Sequence, residues 1–349
     1  MSAPARGYHA LRVAAVIDET PDARSFVFDV SPELAPLYRY KAGQFLTFQV
    51  ALPDETILRC YSLSSAPETD DQPKVTVKRV EGGRGSNWFN DCLAVGATIP
   101  VLPPTGLFVL RDSSAPLCFF AGGSGITPVI SLIKSGLVTT KRPMLLVYAN
   151  RDATSVIFRA ELEELERQHP DRLRVTHHLD AEKGFLEARQ ARALVAGLEG
   201  ADFYICGPGP FMDVVESMLL AAGILRERIF IERFLSLPSH QEVEVENAAA
   251  ASEVAGQLHP SVITIHLDGR SHRAPYHVGD TVLETARKAG LEPPFACEDG
   301  YCGSCAAKLV RGAVKMHKNE VFSPKEVAAG NILTCQSRPC SGELEVSYD

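Results

Sequence analysis

LCFFAGGSGITP, residues 117–128, decides the central fold of this chain. The apolar run Leu117–Ala121 enters a glycine loop and leaves it in a segment, Pro128–Ser135, that reads as a helix. Strand, glycine loop and helix in that order form a cradle for the phosphates of a dinucleotide, because only glycine lets backbone approach so closely. Its G-x-G-x-x-P form, Gly123 to Pro128, ends on a proline, which a helix accepts in its first turn. One glycine loop is weak evidence, and a second strengthens it. Cys206-Gly207-Pro208-Gly209-Pro210 follows the strand Phe203–Cys206 and precedes a helix, Phe211–Ala222. Between the loops lie a strand at Met144–Ala149, a helix at Ser155–Gln168 and a strand at Leu173–His178. Ile229–Glu232 adds one more strand. Short apolar strands alternating with helices predict an α/β domain with a parallel sheet, over residues 114–234.

Upstream, residues 1–113 read as an antiparallel β-barrel. Strand-like runs at Ser25–Val30, Gln44–Val50, Ile57–Leu63 and Lys74–Val80 are punctuated by Pro, Gly and Asp. One helix, Ser86–Leu93, opens after the glycine-rich EGGRG. Arg59, Tyr61 and Ser62 end a strand, so Arg59 and Tyr61 share a face. An arginine pairs with a phosphate, a tyrosine stacks on a flat ring and a serine hydrogen-bonds a ring nitrogen. An ordinary surface arginine beside a half-buried tyrosine is the competing reading. Gly82 to Ser86 precede a helix, where free N–H groups suit an anion.

Downstream, residues 235–260 hold four Glu, no Lys or Arg and an alanine run, which reads as a linker. Residues 261–349 form a third domain, opening with a strand at Val262–Leu267 and a helix at Thr281–Ala289. It carries CEDGYCGSC, with Cys297, Cys302 and Cys305, and then Cys335 after 29 intervening residues. The C-x4-C-x2-C…C order is that of a [2Fe–2S] cluster, held by four thiolates. A four-cysteine zinc site, the alternative, usually takes two C-x2-C-like pairs, and one is present here. Gly300 and Gly303 let the loop curl around a metal.

Composition narrows the function. Hydrophobic residues make up 45% of the 349 and charged residues 22%, which suits packed domains rather than disorder. A net charge of −8 argues against broad nucleic-acid binding. No apolar run reaches the roughly 18–20 residues of a membrane span, and the opening residues lack a signal-peptide core, so a cytoplasmic protein is expected. Nine cysteines, five of them in the last domain, suit metal or redox chemistry in a reducing compartment. His9, His177, His178 and His259 read as surface residues rather than ligands.

Arg59-x-Tyr61-Ser62, the loop Gly122–Pro128 and Cys206-Gly207-Pro208 resemble, in order and spacing, the ferredoxin–NADP reductase family. The chain from Val262 onward resembles plant-type ferredoxins throughout, which implies a β-grasp, α+β fold. The resemblance implies that Arg59 binds a flavin pyrophosphate, Tyr61 contacts the ring and ribitol, and Ser62 lies near flavin N5. It implies that Val77, Lys78 and Arg79 line the ring through backbone, and that Gly85 and Ser86 approach the pyrophosphate. Gly123, Gly125, Gly207 and Pro208 belong to the nicotinamide cradle on the same resemblance. Thr127 and Cys206 flank the nicotinamide, and Phe234 covers the flavin. Related reductases use FMN or FAD, and the loop at 82–86 together with PPTGLF favours FAD.

The order flavin, nicotinamide, ferredoxin resembles the reductase components of bacterial multicomponent oxygenases. Those serving 3-ketosteroid 9α-hydroxylase and phenylacetyl-CoA epoxidase are the nearest in kind, and Tyr148–Asp152 (YANRD) supports that subgroup. The expectation is an electron-transfer enzyme running from NADH or NADPH through FAD and [2Fe–2S] to a terminal oxygenase. A Rieske-type oxygenase is favoured, met transiently by a monomeric reductase. A reductase of small acceptors such as quinones or free flavin, and a non-catalytic redox sensor, are the alternatives. Arg151 and Asp152 stand where the adenosine ribose is read, and they offer both signs of charge.

Overall fold

The computed structural model describes residues 7–234, 258–295, 298, 300, 303–319, 321–322 and 324–349. The chain divides into two compact units, Met1–Phe234 and Leu235–Asp349.

The first unit begins with six antiparallel strands: β1 (His9–Thr20), β2 (Ala23–Asp29), β3 (Phe45–Ala51), β4 (Thr56–Ser62), β5 (Lys74–Lys78) and β6 (Thr98–Thr105). They lie in the order β4-β3-β6-β1-β2-β5, and a Leu63–Val75 bridge joins the chain beyond β4 to β5. Helix α1 (Arg84–Cys92) inserts Phe89 among Phe26, Phe48 and Tyr61, with ring centroids 4.8–5.4 Å apart. Two strands escape the sequence pattern. β1 slips register between Val13 and Ala15, which reverses its in–out alternation. β6 carries Pro100, Pro103 and Pro104, ordinarily a sign against a central strand. Its register against β3 jumps from Leu102 to Thr105, so the ladder skips the last two prolines.

Five parallel strands follow: β7 (Leu117–Gly122), β8 (Met144–Asn150), β9 (Leu173–Leu179), β10 (Asp202–Cys206) and β11 (Ile229–Glu232), in the order β11-β10-β7-β8-β9. Helices α2 (Ile126–Thr139) and α3 (Arg159–Gln168) cover one face, while α5 (Ala188–Leu194) and α6 (Gly209–Ala221) cover the other. The short α4 (Asp180–Lys183) follows β9. The helix expected over Ser155–Gln168 is broken. Asp152 caps a 3-10 turn at Ala153–Ser155, Phe158 sits left-handed at φ 60°, and α3 starts only at Arg159. His178 is buried rather than superficial, its ring nitrogen 2.8 Å from the Gly184 carbonyl. Ala23, Ala42 and Phe108 of the barrel share one apolar core with Leu132 and Tyr204, so the two sheets are packed together.

The second unit holds β12 (Val262–Leu267), β13 (Arg270–Pro275), β14 (Ala306–Met316), β15 (Asn331–Leu333) and β16 (Ser337–Ser347) in the order β13-β12-β16-β14-β15. β12 and β16 are parallel and the other pairs antiparallel. Helix α7 (Val282–Lys288) is held by a Thr281–Glu284 capping box and packs Val282 and Ala286 onto Ile263, Ile265 and Val346. A short helix, α8 (Pro324–Ala328), precedes β15. Most of the linker expected at 235–260 lies outside the described residues. Its last part already touches this unit, with His259 Nδ1 3.1 Å from the Pro339 carbonyl.

Candidate functional site

The strand order of the parallel sheet reverses between β7 and β10, and an α/β sheet binds ligands at the carboxyl ends of strands flanking such a point. Both glycine loops lie there. Cys206, the last residue of β10, pairs with Ala121 at the end of β7. The loops touch backbone to backbone. A Cβ on Gly125 would stand 2.1 Å from the Cys206 carbonyl oxygen and 2.6 Å from the Gly207 nitrogen. A Cβ on Gly207 would meet Gly122 at 3.0 Å, and one on Gly122 would meet Pro208 at 2.9 Å. Gly123 takes φ 52°, and the Tyr148 hydroxyl of β8 donates to its carbonyl at 3.1 Å.

Thr127 is buried at the start of α2, its hydroxyl donating to the Ser124 carbonyl at 3.1 Å. Cys206 is fully buried, and burial, reinforced by Glu232, pushes its thiol well above the ordinary value of 9.0. It therefore stays neutral at physiological pH. Arg151 is exposed. Its Nε lies 2.9 Å from Asp152, and a terminal nitrogen lies 4.0 Å from Asp22. The other oxygen of Asp152 accepts from the Thr154 and Ser155 amides and the Thr154 hydroxyl. Phe234 stands past the end of β11 and is partly exposed.

On the barrel, β4 pairs with β3 through Phe48–Arg59, Leu46–Tyr61 and Phe45–Ser62. Ser62 is buried, and burial pushes the Tyr61 phenol up despite the opposing charge of Arg59. The Arg59 stem lies across Gly85, where a Cβ would come 2.7 Å from Cγ and 2.9 Å from Nε. The Ser86 hydroxyl is occupied within its own loop, accepting from the Val80 amide at 3.1 Å and donating to Gly83 at 3.3 Å. Its backbone N–H is what it can offer an anion. The Val77 carbonyl accepts from Asn90 at 3.2 Å, and Arg79 pairs with Asp91 at 2.5 Å. The Lys78 side chain leaves the barrel. Its ammonium lies 3.7 Å from Asp22 and 3.9 Å from where a Gly123 Cβ would be, so it reaches toward the first glycine loop.

In the second unit Cys305 and Cys335 are buried in one small apolar pocket with Leu283 and Leu333. Thr334 ties them together, its amide and hydroxyl both donating to the Cys305 carbonyl, at 3.1 and 2.9 Å. The Tyr348 hydroxyl donates to Thr334 Oγ1 at 2.9 Å, and burial drives this phenol up, the two cysteines adding to the rise. No spacing in the sequence marks Tyr348 for this place. Gly300 and Gly303 take φ 75° and 71°, and a Cβ on Gly300 would stand 2.8 Å from the Lys318 carbonyl. Cys297 and Cys302 lie outside the described residues.

Residues 10–110 match the family described as oxidoreductase FAD-binding domain, residues 119–217 the oxidoreductase NAD-binding domain, and residues 265–340 the 2Fe-2S iron-sulfur cluster binding domain. The chain is 41% identical over 340 residues to the 3-ketosteroid-9-alpha-monooxygenase ferredoxin reductase component of Rhodococcus rhodochrous, covering 97% of this chain and 96% of that protein. It is 32% identical to a polypeptide of the 1,2-phenylacetyl-CoA epoxidase of Escherichia coli K12, with 98% of both chains covered. Phthalate dioxygenase reductase, a solved structure, superposes with a TM-score of 0.60 at 26% identity over 98% of both chains. The chain belongs to this family of oxygenase reductases. It is an oxidoreductase whose modules bind FAD, a nicotinamide dinucleotide and a [2Fe–2S] cluster.

The local chemistry of this reductase suits each group. The glycine loops leave backbone space that a Cβ would fill, as a dinucleotide cradle requires. Arg59 and the loop at Gly83–Ser86 converge at the start of α1, which suits a pyrophosphate. Cys305 and Cys335 supply two sulfur donors in a dry pocket beside glycines in the left-handed region, which suits a cluster. Among the described residues no helix is long and apolar enough to cross a membrane.

Proposed function

We propose that this reductase draws hydride from NADH or NADPH and delivers single electrons to a terminal oxygenase. The observation that carries this is the packing of the Gly122–Gly125 turn onto Cys206–Gly207 at the switch point, in a chain that also buries Cys305 beside Cys335. FAD, when bound, accepts a hydride and gives up single electrons, and a [2Fe–2S] cluster passes electrons on one at a time. Arg59 holds the flavin pyrophosphate, helped by the amides of Gly85 and Ser86, while Tyr61 packs on the flavin. Ser62 would offer its hydroxyl to the flavin's reacting edge, and the backbone of Val77–Arg79 would line the ring. Gly123, Gly125, Gly207 and Pro208 seat the dinucleotide. Thr127 and the neutral Cys206 thiol would flank the nicotinamide, and Phe234 would cover the flavin. Cys297, Cys302, Cys305 and Cys335 are the cluster ligands.

The modules run over 1–113, 114–234 and 261–349, with a linker at 235–260. A cytoplasmic setting fits cysteines that form no disulfides among the described residues, and the reductase acts there as a monomer that meets its partner transiently. A Rieske-type partner is favoured because plant-type clusters lie near −400 mV and Rieske centres at about −150 mV or higher. Stopped-flow absorbance with NADH and with NADPH tests the reading. Flavin absorbance should bleach first and cluster absorbance second, with iron and acid-labile sulfide each near two per chain. Zinc without sulfide, or bleaching that leaves the cluster oxidised, would overturn it.

A further inference from the structure

Helix α2 carries a lysine where a buried helix should not have one. Residues 126 to 137 of α2 are all buried, and Lys134 among them is 6% exposed. A buried ammonium persists only when paired. Lys134 is paired twice, once to the barrel segment and once to a helix of the parallel-sheet domain. Its Nζ lies 2.7 and 2.9 Å from the carboxylate oxygens of Asp70, in the barrel segment that follows Ser62. The same atom lies 2.9 Å from Glu161 on α3. Asp70 in turn accepts from the Ala66 amide at 2.8 Å and the Thr69 hydroxyl at 3.0 Å. Glu161 also faces Lys74 of β5 at 4.0 Å.

One turn earlier, Ser131 makes a second junction. Its hydroxyl donates to the Ser65 carbonyl at 2.6 Å and accepts from the Gly43 amide at 3.3 Å, all of it buried. Gly43 cannot yield, since at φ 88° a Cβ would stand 1.9 Å from the Phe108 carbonyl and 3.0 Å from Leu132. Thr127, Ser131 and Lys134 are spaced i, i+4, i+7 and so share one face of α2. The barrel residues they meet, Ser65 and Asp70, follow Ser62 on the same strand exit.

We propose that Ser131 and Lys134 are positioning residues for hydride transfer, keying the nicotinamide helix onto the chain that leaves the flavin strand. The inference rests on the reading of Ser62 and Thr127 as the flavin-side and nicotinamide-side residues. A two-pronged key, one neutral and one ionic, fixes both rotation and translation of α2 against the barrel. Both prongs are buried, with their polar atoms held by protein partners: Ser65 and Gly43 for Ser131, Asp70 and Glu161 for Lys134.

The test uses the full-length, FAD- and cluster-loaded protein and its variants Lys134→Met and Ser131→Ala. Flavin bleaching is followed in stopped flow at saturating nicotinamide, with protium or deuterium at C4. Each variant should slow the hydride step about tenfold, since misplacement of about 1 Å costs near a hundredfold and a partial shift less. The deuterium isotope effect should rise, while FAD content, flavin potential and dinucleotide Kd stay within twofold. Amide exchange, measured without dinucleotide, should quicken across residues 42–48 and 126–139 and not in residues 84–92. A hydride step within twofold of the parent in Ser131→Ala, which removes a single hydroxyl and should fold, overturns the proposal. So does a slowed step explained wholly by FAD loss. Failure of the parent to bleach with either nucleotide would sink the functional reading first and the key with it. Bleaching in the parent with an unmoved variant sinks the key alone.

Discussion

Gly125→Ala adds one methyl group where the two glycine loops of the proposed nicotinamide cradle touch. That carbon would stand 2.1 Å from the Cys206 carbonyl oxygen, 2.4 Å from its carbon and 2.6 Å from the Gly207 nitrogen. Real contacts of this kind begin near 3.0 Å, so the turn and the end of β10 must part by about 1 Å. Backbone on both sides leaves no side chain free to swing away. Overpacking of this sort costs about 1–3 kcal/mol of stability. The catalytic cost is larger in proportion, because about 1 Å of misplacement slows a positioned reaction near a hundredfold. That corresponds to about 2.7 kcal/mol on the barrier. Gly209→Ala is the matched control. It lies in the second glycine loop, and a Cβ there meets nothing within 4 Å. Flavin bleaching by NADH or NADPH in stopped flow reads both variants, with the FAD spectrum showing that the barrel is intact. A Gly125→Ala rate within threefold of the parent, or a Gly209→Ala rate equally depressed, would refute the close-packing argument.

Cys302→Ser should leave flavin bleaching within about twofold while abolishing cluster absorbance and oxygenase-coupled turnover; loss of bleaching would show that the modules are not separable as proposed. Gly85→Ala pushes against the Arg59 stem, 2.7 Å from Cγ, and should weaken FAD binding about tenfold, or 1.4 kcal/mol, measured by the fluorescence of released flavin. Asp152→Asn should release Arg151 from its 2.9 Å ion pair and shift the NADPH-to-NADH ratio of kcat/KM upward by about tenfold; a ratio that stays put would show that Arg151 does not meet the 2′-phosphate. Burial tends to raise the Asp70 carboxyl, but the Ala66 amide and Lys134 outweigh it and hold it below its ordinary 3.8. A depressed native value means stabilisation that is complete above about pH 4 and fades as pH falls through the native value. Urea unfolding of the first unit should therefore lose stability as pH falls below about 4, with a shallower slope in Asp70→Asn.

What can be read from sequence follows from where the physical constraint resides. At Gly123, Gly125 and Gly207 the constraint is backbone contact, which only glycine meets, so it is written in the residues themselves. The same holds for thiolate spacing around Cys305 and Cys335, which the fold buries in one pocket. β1 is hidden because the register slip beside Val13 inverts its alternation midway, and β6 because its prolines sit where the ladder is already interrupted. The break at Phe158 has no composition signal; a left-handed phenylalanine, with Lys74 5.4 Å above its ring, is a tertiary choice. Lys78 stands on the flavin strand by position, yet its side chain is long enough to leave that strand and reach the other module. Ser131, Lys134 and Tyr348 have no signature of their own. Ser131 and Lys134 are defined by partners distant in the chain, among them Ser65 and Asp70, and Tyr348 by a threonine that matters only once Cys305 and Cys335 are brought together.

The two compact units follow the division of the chemistry. Hydride transfer makes and breaks bonds to one hydrogen, so donor and acceptor need fixed mutual placement. The flavin barrel and the nicotinamide sheet accordingly share a core through Ala42, Phe108 and Leu132. They are also joined by the buried contacts of Ser131 and Lys134. Passing one electron makes no bond between its partners and tolerates variation in approach. Residues 261–349 carry 10 Lys+Arg and 11 Asp+Glu, nearly balanced, so no strong charge would recruit this module to a separate donor. Attachment to the same chain does the recruiting instead, holding the module at high local concentration whatever its charge. The ferredoxin module has a core of its own, built on Ile263, Ile265, Val282 and Val346. Buried contacts thus join the two modules between which a hydrogen must be placed, and the module that moves only electrons is built around a separate core.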